Sequence, residues 1–378
     1  MDSVIGLDIG SYNLKAVSIQ KNNNKNFLKK YYVARSHDLP SKILSDSNDH
    51  NKEAAVFLQN FLTENNFETK KVVACLPETK IFSKVITMPV VDEKDFKQSV
   101  EWEAERHLPQ PLSDVYLKYT PIKYNNLKNK KSKKSEVVNK LAPTLSAAIN
   151  KNKEDNDNEG TVDVLIVAVS RQLVDKYLAV FERIDMQVMG LEPVSISTIR
   201  GAMSPDDSIP TVIVNIGYGG TDFYLVMANT LRFVRSISLG VGSLNRAIAK
   251  ELDISEFQAN EYLYTYGFSP TELNGKIKEI ILPVFNILLD EFHKSENYIE
   301  QRGFIEGQDK RVKRVVLSGG GALIPDIVLY LVKEIKPEVQ YAQAWKQLDL
   351  SGIVKKDPAF DQLSPMFAPA VGAALKES

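Results

Sequence analysis

The sequence predicts an α/β protein in which two related lobes are built from a duplicated unit. Strands alternate with helices in both halves of the 378-residue chain, which is too long for one compact core. A segment with the pattern strand, turn and strand also occurs twice, first at 4–17 and again at 212–225. Because a single hairpin of this kind is common, the duplication is the observation on which the prediction rests.

The two copies share a polar residue at the end of the first strand and glycine in the turn. Backbone N–H groups of a tight turn can donate to phosphate oxygens, and glycine lets the chain pass close to them. Two such turns facing each other would hold a polyphosphate from both sides. The glycine pattern fits neither a Rossmann nor a P-loop site. The repeat aligns Asp8 with Asn215, Gly10 with Gly217 and Lys15 with Asp222.

The first lobe is assigned to residues 1–80 and 162–200. Helices are predicted where apolar residues recur at helical spacing, and strands where short apolar runs end at glycine, proline or polar residues. In chain order these elements are a hairpin at 3–20, strands at 27–35 and 72–76 with a helix at 52–66 between them, a strand at 162–170, and helices at 171–184 and 191–201.

Residues 81–161 are predicted to form a small inserted subdomain. Its helix has Phe96, Val100 and Ala104 at a spacing of four, and prolines stop it. The segment at about 125–160 is rich in Lys, Asn, Ser and Glu with little periodicity, which predicts a disordered loop. The other elements are strands at 81–88 and 115–122 and the helix at 92–108.

The second lobe is assigned to residues 201–378, with a helical subdomain at about 243–310. Pro283 should kink the longest helix or mark its start. A third glycine-rich turn, at 318–321, directly follows an apolar strand. The elements are a hairpin at 211–229, strands at 232–238 and 315–317, and helices at 243–252, 255–266, 276–301 and from about 324.

The composition argues against several classes of function. A net charge of −1 gives no reason to expect nucleic acid or an anionic membrane as a partner. The single cysteine, Cys75, rules out an intrachain disulfide and fits a reducing cytoplasm. We expect no secretory signal, because Asp8 and Lys15 interrupt the first strand, and the longest apolar runs are too short to span a membrane.

Four segments in their order along the chain resemble the superfamily of actin, the heat-shock chaperone ATPases and the sugar kinases. They are Asp8-Ile-Gly-Ser, Glu192-Pro-Val-Ser, Asn215-Ile-Gly-Tyr-Gly-Gly-Thr and Ser318-Gly-Gly-Gly-Ala. Within that superfamily the chain is most similar to the PilM family of type IV pilus assembly and next to the cell-division protein FtsA. The segments that resemble PilM are Leu14-Lys15-Ala16, 101–112 and Leu191-Glu192-Pro193. The resemblance implies an actin-like (ribonuclease H-like) two-lobe ATPase fold.

The resemblance also implies ATP and Mg²⁺ as ligands. Asp8 would hold Mg²⁺ through water, and Lys15 would place a positive charge beside the phosphates. Glu291 would accept from the ribose hydroxyls and Lys294 would flank adenine, although a solvated i, i+3 pair on a helix is an equal alternative. The remaining cofactor-binding residues that it implies are Gly10, Ser11, Asn13, Asn215, Gly217, Gly219, Gly220, Thr221, Ser295, Gly319, Gly320 and Ala322.

Asn215 departs from the superfamily, which usually has Asp at this position. An amide can hydrogen-bond a water molecule, but it cannot act as a base or bind Mg²⁺ strongly. We therefore expect slow ATP hydrolysis or none. Glu192, at the entrance to a helix between the lobes, is the candidate for orienting a water molecule.

The function implied by the resemblance is an ATP-binding scaffold of the pilus assembly platform at the inner membrane. Its partner would be the cytoplasmic N-terminal peptide of a bitopic, PilN-like membrane protein, docked between the first lobe and the inserted subdomain. The chain would be cytoplasmic and would reach the membrane only through this partner, and self-association into filaments is left open.

Two alternatives to the pilus scaffold are kept. The first is an FtsA-like division filament protein, although the segment 365–378 is broken by proline and lacks the pattern of a membrane-targeting helix. The second is a small-molecule kinase, for which no carboxylate base lies in a recognisable acceptor motif.

Overall fold

The computed structural model describes residues 3–23, 25–125, 160–305, 311–353 and 359–376. They form two compact units, a large one from the described residues of 1–79 and 174–378 and a small one from those of 80–173. The predicted loop at about 125–160 lies outside the described residues, apart from its two ends. In the described part of the chain, no helix is long and apolar enough to cross a membrane.

The described strands form two five-stranded sheets in the large unit and one three-stranded sheet in the small unit. In chain order the strands are β1 (Ser3–Ile9), β2 (Asn13–Asn22), β3 (Lys25–Arg35), β4 (Lys71–Leu76), β5 (Ile81–Pro89), β6 (Val115–Asn125), β7 (Thr161–Ser170), β8 (Gln187–Pro193), β9 (Thr211–Ile216), β10 (Thr221–Met227), β11 (Thr230–Ile237), β12 (Arg314–Ser318) and β13 (Glu338–Tyr341).

The described helices are mostly those that the apolar periodicity predicts. In chain order they are α1 (Leu39–Leu44), α2 (Asn48–Glu64), α3 (Glu93–Glu105), α4 (Arg171–Glu182), α5 (Val194–Ala202), α6 (Val241–Leu252), α7 (Glu256–Tyr266), α8 (Lys276–Arg302), α9 (Ile327–Glu334) and α10 (Ser364–Leu375).

The two large sheets have the same strand order. The first is β3-β2-β1-β4-β8 and the second is β11-β10-β9-β12-β13. In each sheet the central strand is antiparallel to the next strand along the chain and parallel to the strand on its other side. The repeated topology confirms the duplicated α/β fold that the repeated hairpin predicts.

One predicted helix start is wrong, and one of the two alternatives for Pro283 is excluded. Residues 191–193 belong to the end of β8, because they pair in parallel with β4, and the helix predicted to begin at Leu191 begins at Val194. Helix α8 runs from Lys276 to Arg302 with Pro283 inside it, so this proline does not mark its start. Tertiary pairing and packing therefore override the local signals at both places.

Helices α5 and α10 cross at a separation that requires glycine. A Cβ atom placed on Gly372 would lie 1.7 Å from the carbonyl oxygen of Ser197, and one on Gly201 would lie 2.0 Å from that of Ala368. Real Cβ atoms do not approach backbone oxygens this closely, so neither position accepts a side chain without moving a helix.

The C-terminal segment that lacked an amphipathic pattern forms the buried helix α10. Every residue from Ser364 to Ala374 is buried, including Pro369 within the helix. A helix that is buried on all sides has no polar face, which explains the missing pattern.

The small unit packs α3 on a sheet with the order β5-β7-β6. Phe96, Val100 and Ala104 of α3 are buried, as their spacing predicts, and they share a core with Ile86 of β5. Strand β7, predicted at 162–170 as part of the first lobe, is the central strand of this sheet.

Candidate functional site

The two repeated turns are closed by the same backbone hydrogen bond. The N–H of Gly10 donates to the carbonyl of Asn13 at 3.0 Å, and the N–H of Gly217 donates to that of Gly220 at 2.8 Å. The turns join β1 to β2 and β9 to β10, the corresponding strands of the two sheets. The sequence repeat is thus a repeat of local backbone structure.

The first and second turns lie against each other. A Cβ atom on Gly219 would be 3.1 Å from the Oγ of Ser11, so the backbone of the second turn lies close to the first. Tyr12 and Tyr218, one from each turn, stack with ring centroids 4.3 Å apart and planes inclined by 14°. Aromatic stacking of this kind adds to the stability of the contact.

The third glycine-rich turn lies against the second. Gly319 has a φ of 82°, and a Cβ there would lie 2.5 Å from the carbonyl oxygen of Ile216 and 2.8 Å from Oδ1 of Asn215. On the other side of this turn, the hydroxyl of Tyr264 donates to the carbonyl of Gly320 at 3.1 Å. The three turns predicted to surround one nucleotide therefore lie together in the large unit.

Ala322, Thr221 and Ser295 are predicted ligand residues with buried side chains. Ala322 is completely buried, and the hydroxyl of Thr221 donates to the carbonyl of Leu239 at 2.7 Å. The hydroxyl of Ser295 donates to the carbonyl of Glu291 at 2.8 Å within α8. Ala322 and Thr221 are thus placed to shape the backbone of the turns.

Asp8 and Lys15 form an ion pair across the first hairpin. They are directly opposite each other in the register of β1 and β2, and Nζ of Lys15 donates to Oδ2 of Asp8 at 2.5 Å. Both residues are buried. The positive charge of Lys15, predicted to lie at the phosphates, is therefore neutralised by Asp8, the residue expected to hold Mg²⁺. Their ligand roles stay a prediction.

The equivalent pair in the second hairpin is Asn215 with Asp222. The hydroxyl of Tyr224 donates to Oδ2 of Asp222 at 3.1 Å. Burial raises the pKa of Asp222, against the opposing effect of hydrogen bonds from Ser236, Tyr224 and Asn215. The second hairpin thus has the amide of Asn215 opposite the carboxyl of Asp222, where the first has the carboxylate of Asp8 opposite the ammonium of Lys15.

Glu192 is held by two side chains of α5. Its Oε1 accepts from the hydroxyl of Ser197 at 2.5 Å and from Nη1 of Arg200 at 2.6 Å, and its Oε2 accepts from Nη2 of Arg200 at 3.2 Å. A bidentate guanidinium pair fixes the orientation of a carboxylate. Both carboxylate oxygens have protein partners, and the water-orienting role of Glu192 stays a prediction.

Glu78 is a buried carboxyl that belongs to none of the sequence motifs. Its Oε2 accepts from the backbone N–H of Ser195 at 3.1 Å, at the N-terminal end of α5, while its Oε1 has no partner among the described residues. Burial, with a smaller contribution from the charge of Asp222, raises the pKa of Glu78 to about 7. This carboxyl is therefore partly protonated at neutral pH.

Replacing Glu78 should change how stability depends on pH. Its folded-state pKa lies above its ordinary value of 4.5, so the folded protein binds more protons than the unfolded chain between 4.5 and about 7. The free energy of unfolding should therefore fall by up to about 3 kcal/mol as pH rises through this window. The Glu78→Gln variant should lack this fall in urea titrations. Glu64→Gln, an exposed control on α2, should retain it, and equal profiles for all three proteins would contradict the assignment.

Glu291 and Lys294 form an i, i+3 ion pair on α8, which is the predicted alternative to a ligand role. Nζ of Lys294 lies 2.6 Å from Oε1 of Glu291, and Arg235 of β11 donates to the other carboxylate oxygen. The Lys294 hydrogen bond, with that of Arg235, lowers the pKa of Glu291. No hydrogen bond or ion pair between described residues joins this pair to the third turn, and its adenosine role stays a prediction.

Comparison with known proteins gives the family. The family model for the type IV pilus assembly protein PilM matches residues 6–142 and 147–378. The chain belongs to the PilM family. This confirms the resemblance inferred from the glycine-rich turns and from the segment 101–112.

Solved structures similar to this PilM-family chain support the fold. A structure described as a PilM–PilN type IV pilus biogenesis complex is 21% identical, with a TM-score of 0.75 over 99% of this chain and 98% of that chain. MreB5 of Spiroplasma citri bound to AMPPNP is 13% identical, with a TM-score of 0.50 over 100% of this chain and 96% of that chain. The same values hold for MreB5 bound to ADP. The PilM-family chain thus has the predicted actin-like fold.

Sequence reasoning missed four side chains at the turns of this PilM-family chain. Tyr12 and Tyr218 could have been noticed, because each turn of the repeat contains a tyrosine at neighbouring positions of the alignment. Arg35 and Tyr264 belong to no motif. The fold alone brings them to the turns, Arg35 over the ring of Tyr12 and Tyr264 against Gly320.

Proposed function

We propose that the three glycine-rich turns bind Mg-ATP and that the chain is a nucleotide-dependent scaffold of type IV pilus assembly. The observation that carries the proposal is the convergence of the turns, through the contacts of Gly219 with Ser11 and of Gly319 with Asn215. The similar MreB5 structures were solved with AMPPNP and ADP, which supports a nucleotide as the ligand. Backbone N–H groups of such turns suit phosphate oxygens.

Asp8 fits the role of holding Mg²⁺ through water. The described residues contain no group of three or more His, Cys, Asp or Glu side chains that could hold a metal ion. Mg²⁺ commonly keeps several waters and binds through one or two carboxylates together with substrate phosphates. A single carboxylate beside a phosphate-binding turn meets this requirement. The bound cation would offset repulsion between Asp8 and the phosphates.

The proposed site should hydrolyse ATP slowly, because Asn215 cannot act as a base. The Asn215→Asp variant should raise phosphate release from Mg-ATP by about tenfold or more, the contribution expected of a positioned carboxylate. Asn23→Asp, the same change in the β2–β3 turn, is the control and should leave the rate unchanged. An unchanged rate in Asn215→Asp, or wild-type turnover as fast as that of a metabolic kinase, would contradict this prediction.

The proposed partner is the cytoplasmic N-terminal peptide of a PilN-like bitopic membrane protein. Support comes from the family of the chain and from its similarity to a structure described as a PilM–PilN complex. In this arrangement the chain is cytoplasmic and is held at the inner membrane by the peptide. ATP would favour the conformation that binds the peptide.

Trp102 is a candidate contact for the peptide within the small unit. It lies on α3 with 69% of its surface exposed, although Val100 and Ala104 of the same helix are buried. Large aromatic side chains supply much of the binding energy at protein interfaces. Trp102→Ala should weaken peptide binding by about tenfold or more. Lys97→Ala, an exposed change on the same helix, should not, and equal affinities would remove Trp102 from the interface.

The function is tested by calorimetric titration of this peptide into the Mg-ATP-loaded protein and into the nucleotide-free protein. One-to-one binding supports the scaffold, and an affinity that depends on nucleotide makes ATP the coupled ligand. No binding in either state would contradict the partner and favour a division-filament protein. Transfer of phosphate to a small acceptor would favour a kinase.

A further inference from the structure

The cation predicted at the phosphates is not available as a free charge. Lys15 is 8% exposed and its Nζ lies 2.5 Å from Oδ2 of Asp8. The pair has no net charge, although a bound polyphosphate carries several negative charges. Backbone N–H groups can bind phosphate oxygens, but they do not neutralise that charge. In the proposed Mg-ATP site, Mg²⁺ would offset part of this charge, and a side-chain cation near the turns would strengthen binding further.

Arg35 is a cation placed at these turns. It is the last residue of β3, and the antiparallel register puts it opposite Asn13, at the end of the first turn. Its Cζ lies 3.7 Å from the centroid of the Tyr12 ring, which is stacked in turn on Tyr218. The Arg35 guanidinium, the Tyr12 ring of the first turn and the Tyr218 ring of the second turn are therefore consecutive layers of one stack.

The charge of Arg35 also acts on Tyr264, whose hydroxyl contacts the third turn. Burial raises the pKa of Tyr264, the neighbouring Tyr12 adds to this effect, and the positive charge of Arg35 opposes it. The hydroxyl of Tyr264 donates to the carbonyl of Gly320. The guanidinium thus contacts the Tyr12 ring of the first turn, which is stacked on Tyr218 of the second turn, and its charge acts on Tyr264 beside the third.

The charge of Arg35 is free to bind a ligand. The side chain is exposed, and it has no ion pair and no hydrogen bond with any of the described residues. Stacking on Tyr12 restricts its plane while leaving its N–H donors unpaired. A guanidinium stays charged at all physiological pH values, and its planar fork binds two phosphate oxygens at once.

We propose that Arg35, held on the ring of Tyr12, is the side-chain cation that binds the phosphates of the nucleotide. This inference rests on the proposed nucleotide site and specifies its selectivity. The contribution of Arg35 to binding should depend on the charge of the phosphate chain. Arg35 should therefore raise the affinity for ATP and ADP and leave the affinity for adenosine unchanged. The role assigned to Lys15 by resemblance then reduces to pairing with Asp8.

The test is calorimetric titration of ATP, ADP and adenosine into the wild-type protein and into Arg35→Ala, Arg35→Lys and Arg183→Ala. Arg183 is an exposed arginine just after α4, and its guanidinium donates to Oδ1 of Asn48, so its replacement removes the same net charge elsewhere on the unit. Arg35→Ala should weaken ATP binding by about tenfold or more and leave adenosine binding unchanged. Arg35→Lys should lie between Arg35→Ala and the wild type, and Arg183→Ala should match the wild type.

The outcomes separate the inference from the proposed function. Wild-type binding of ATP with equal affinity in Arg35→Ala would overturn the role of Arg35 and leave the nucleotide site intact. An equal loss of ATP and adenosine binding in Arg35→Ala would show that Arg35 only supports Tyr12, and would also overturn the proposal. No binding of ATP by the wild type would overturn the nucleotide site and the inference together. Thermal melting without nucleotide, expected to be the same for all four proteins, shows that each is folded.

Discussion

Replacing Gly372 with alanine is expected to lower the free energy of unfolding by about 3 kcal/mol or more. The added Cβ would lie 1.7 Å from the carbonyl oxygen of Ser197, and the neighbouring atom is backbone that cannot rotate away. Helices α5 and α10 would have to separate. Because α10 is buried from Ser364 to Ala374, that separation would open the core of the large unit. Urea unfolding followed by circular dichroism measures the effect.

Gly303→Ala is the control for the prediction at Gly372. Gly303 follows α8 with a φ of 65°, and a Cβ there meets no described atom within 4 Å. The free energy of unfolding of this variant should fall by only about 1 kcal/mol, because alanine adopts a positive φ less readily than glycine. A loss in Gly372→Ala no larger than in the control would contradict the close crossing of the two helices.

Replacing Lys15 with methionine is expected to lower the free energy of unfolding by about 3 kcal/mol. The change removes the ammonium group that lies 2.5 Å from Oδ2 of Asp8 and leaves that buried carboxylate without its cation. An uncompensated buried charge costs more than the loss of the pair as a whole. The measurement is urea unfolding at neutral pH.

A double-mutant cycle separates the ion pair from other roles of the two residues. Asp8→Asn with Lys15→Met removes both charges, so this double variant should recover most of the stability lost in Lys15→Met. If the double variant is as unstable as the sum of the single variants, Asp8 and Lys15 are not coupled as the structure describes.

Much of the fold could be predicted from the sequence because its signals are local and repeated. The hairpins at 4–17 and 212–225 specify strand, turn and register together, and the two sheets then adopt the same strand order. Helix α10 was missed because it is buried on all sides and has no apolar stripe. The end of β8 was predicted as helix because its pairing with β4 is not visible in the local sequence.

The candidate site was predictable in its turns but not in its charges. Glycine after an apolar strand indicates where the backbone can approach a phosphate, and the three turns do lie together. The partner of a charged side chain is set by the fold. Lys15 is paired with Asp8, Glu192 with Arg200, and Glu291 with Arg235 and Lys294.

Arg35 shows the same limit of sequence reasoning. It lies at the end of an edge strand, outside every motif, and its place over Tyr12 follows from the pairing of β3 with β2. The ionic partner of a charged side chain therefore has to be identified from the structure, whereas the positions of the turns can be predicted from the sequence.

The central claim, a nucleotide site at the three turns, is tested most directly by titrating Mg-ATP into the wild-type protein, Ser11→Asp and Ser11→Asn. Ser11 is exposed and its Oγ faces Gly219, so both replacements should fold, and only aspartate adds a negative charge where phosphate is proposed to bind. We predict that the wild type and Ser11→Asn bind ATP, and that Ser11→Asp binds it about tenfold more weakly or worse. No binding by the wild type, or equal affinity in Ser11→Asp, would contradict a nucleotide site at these turns.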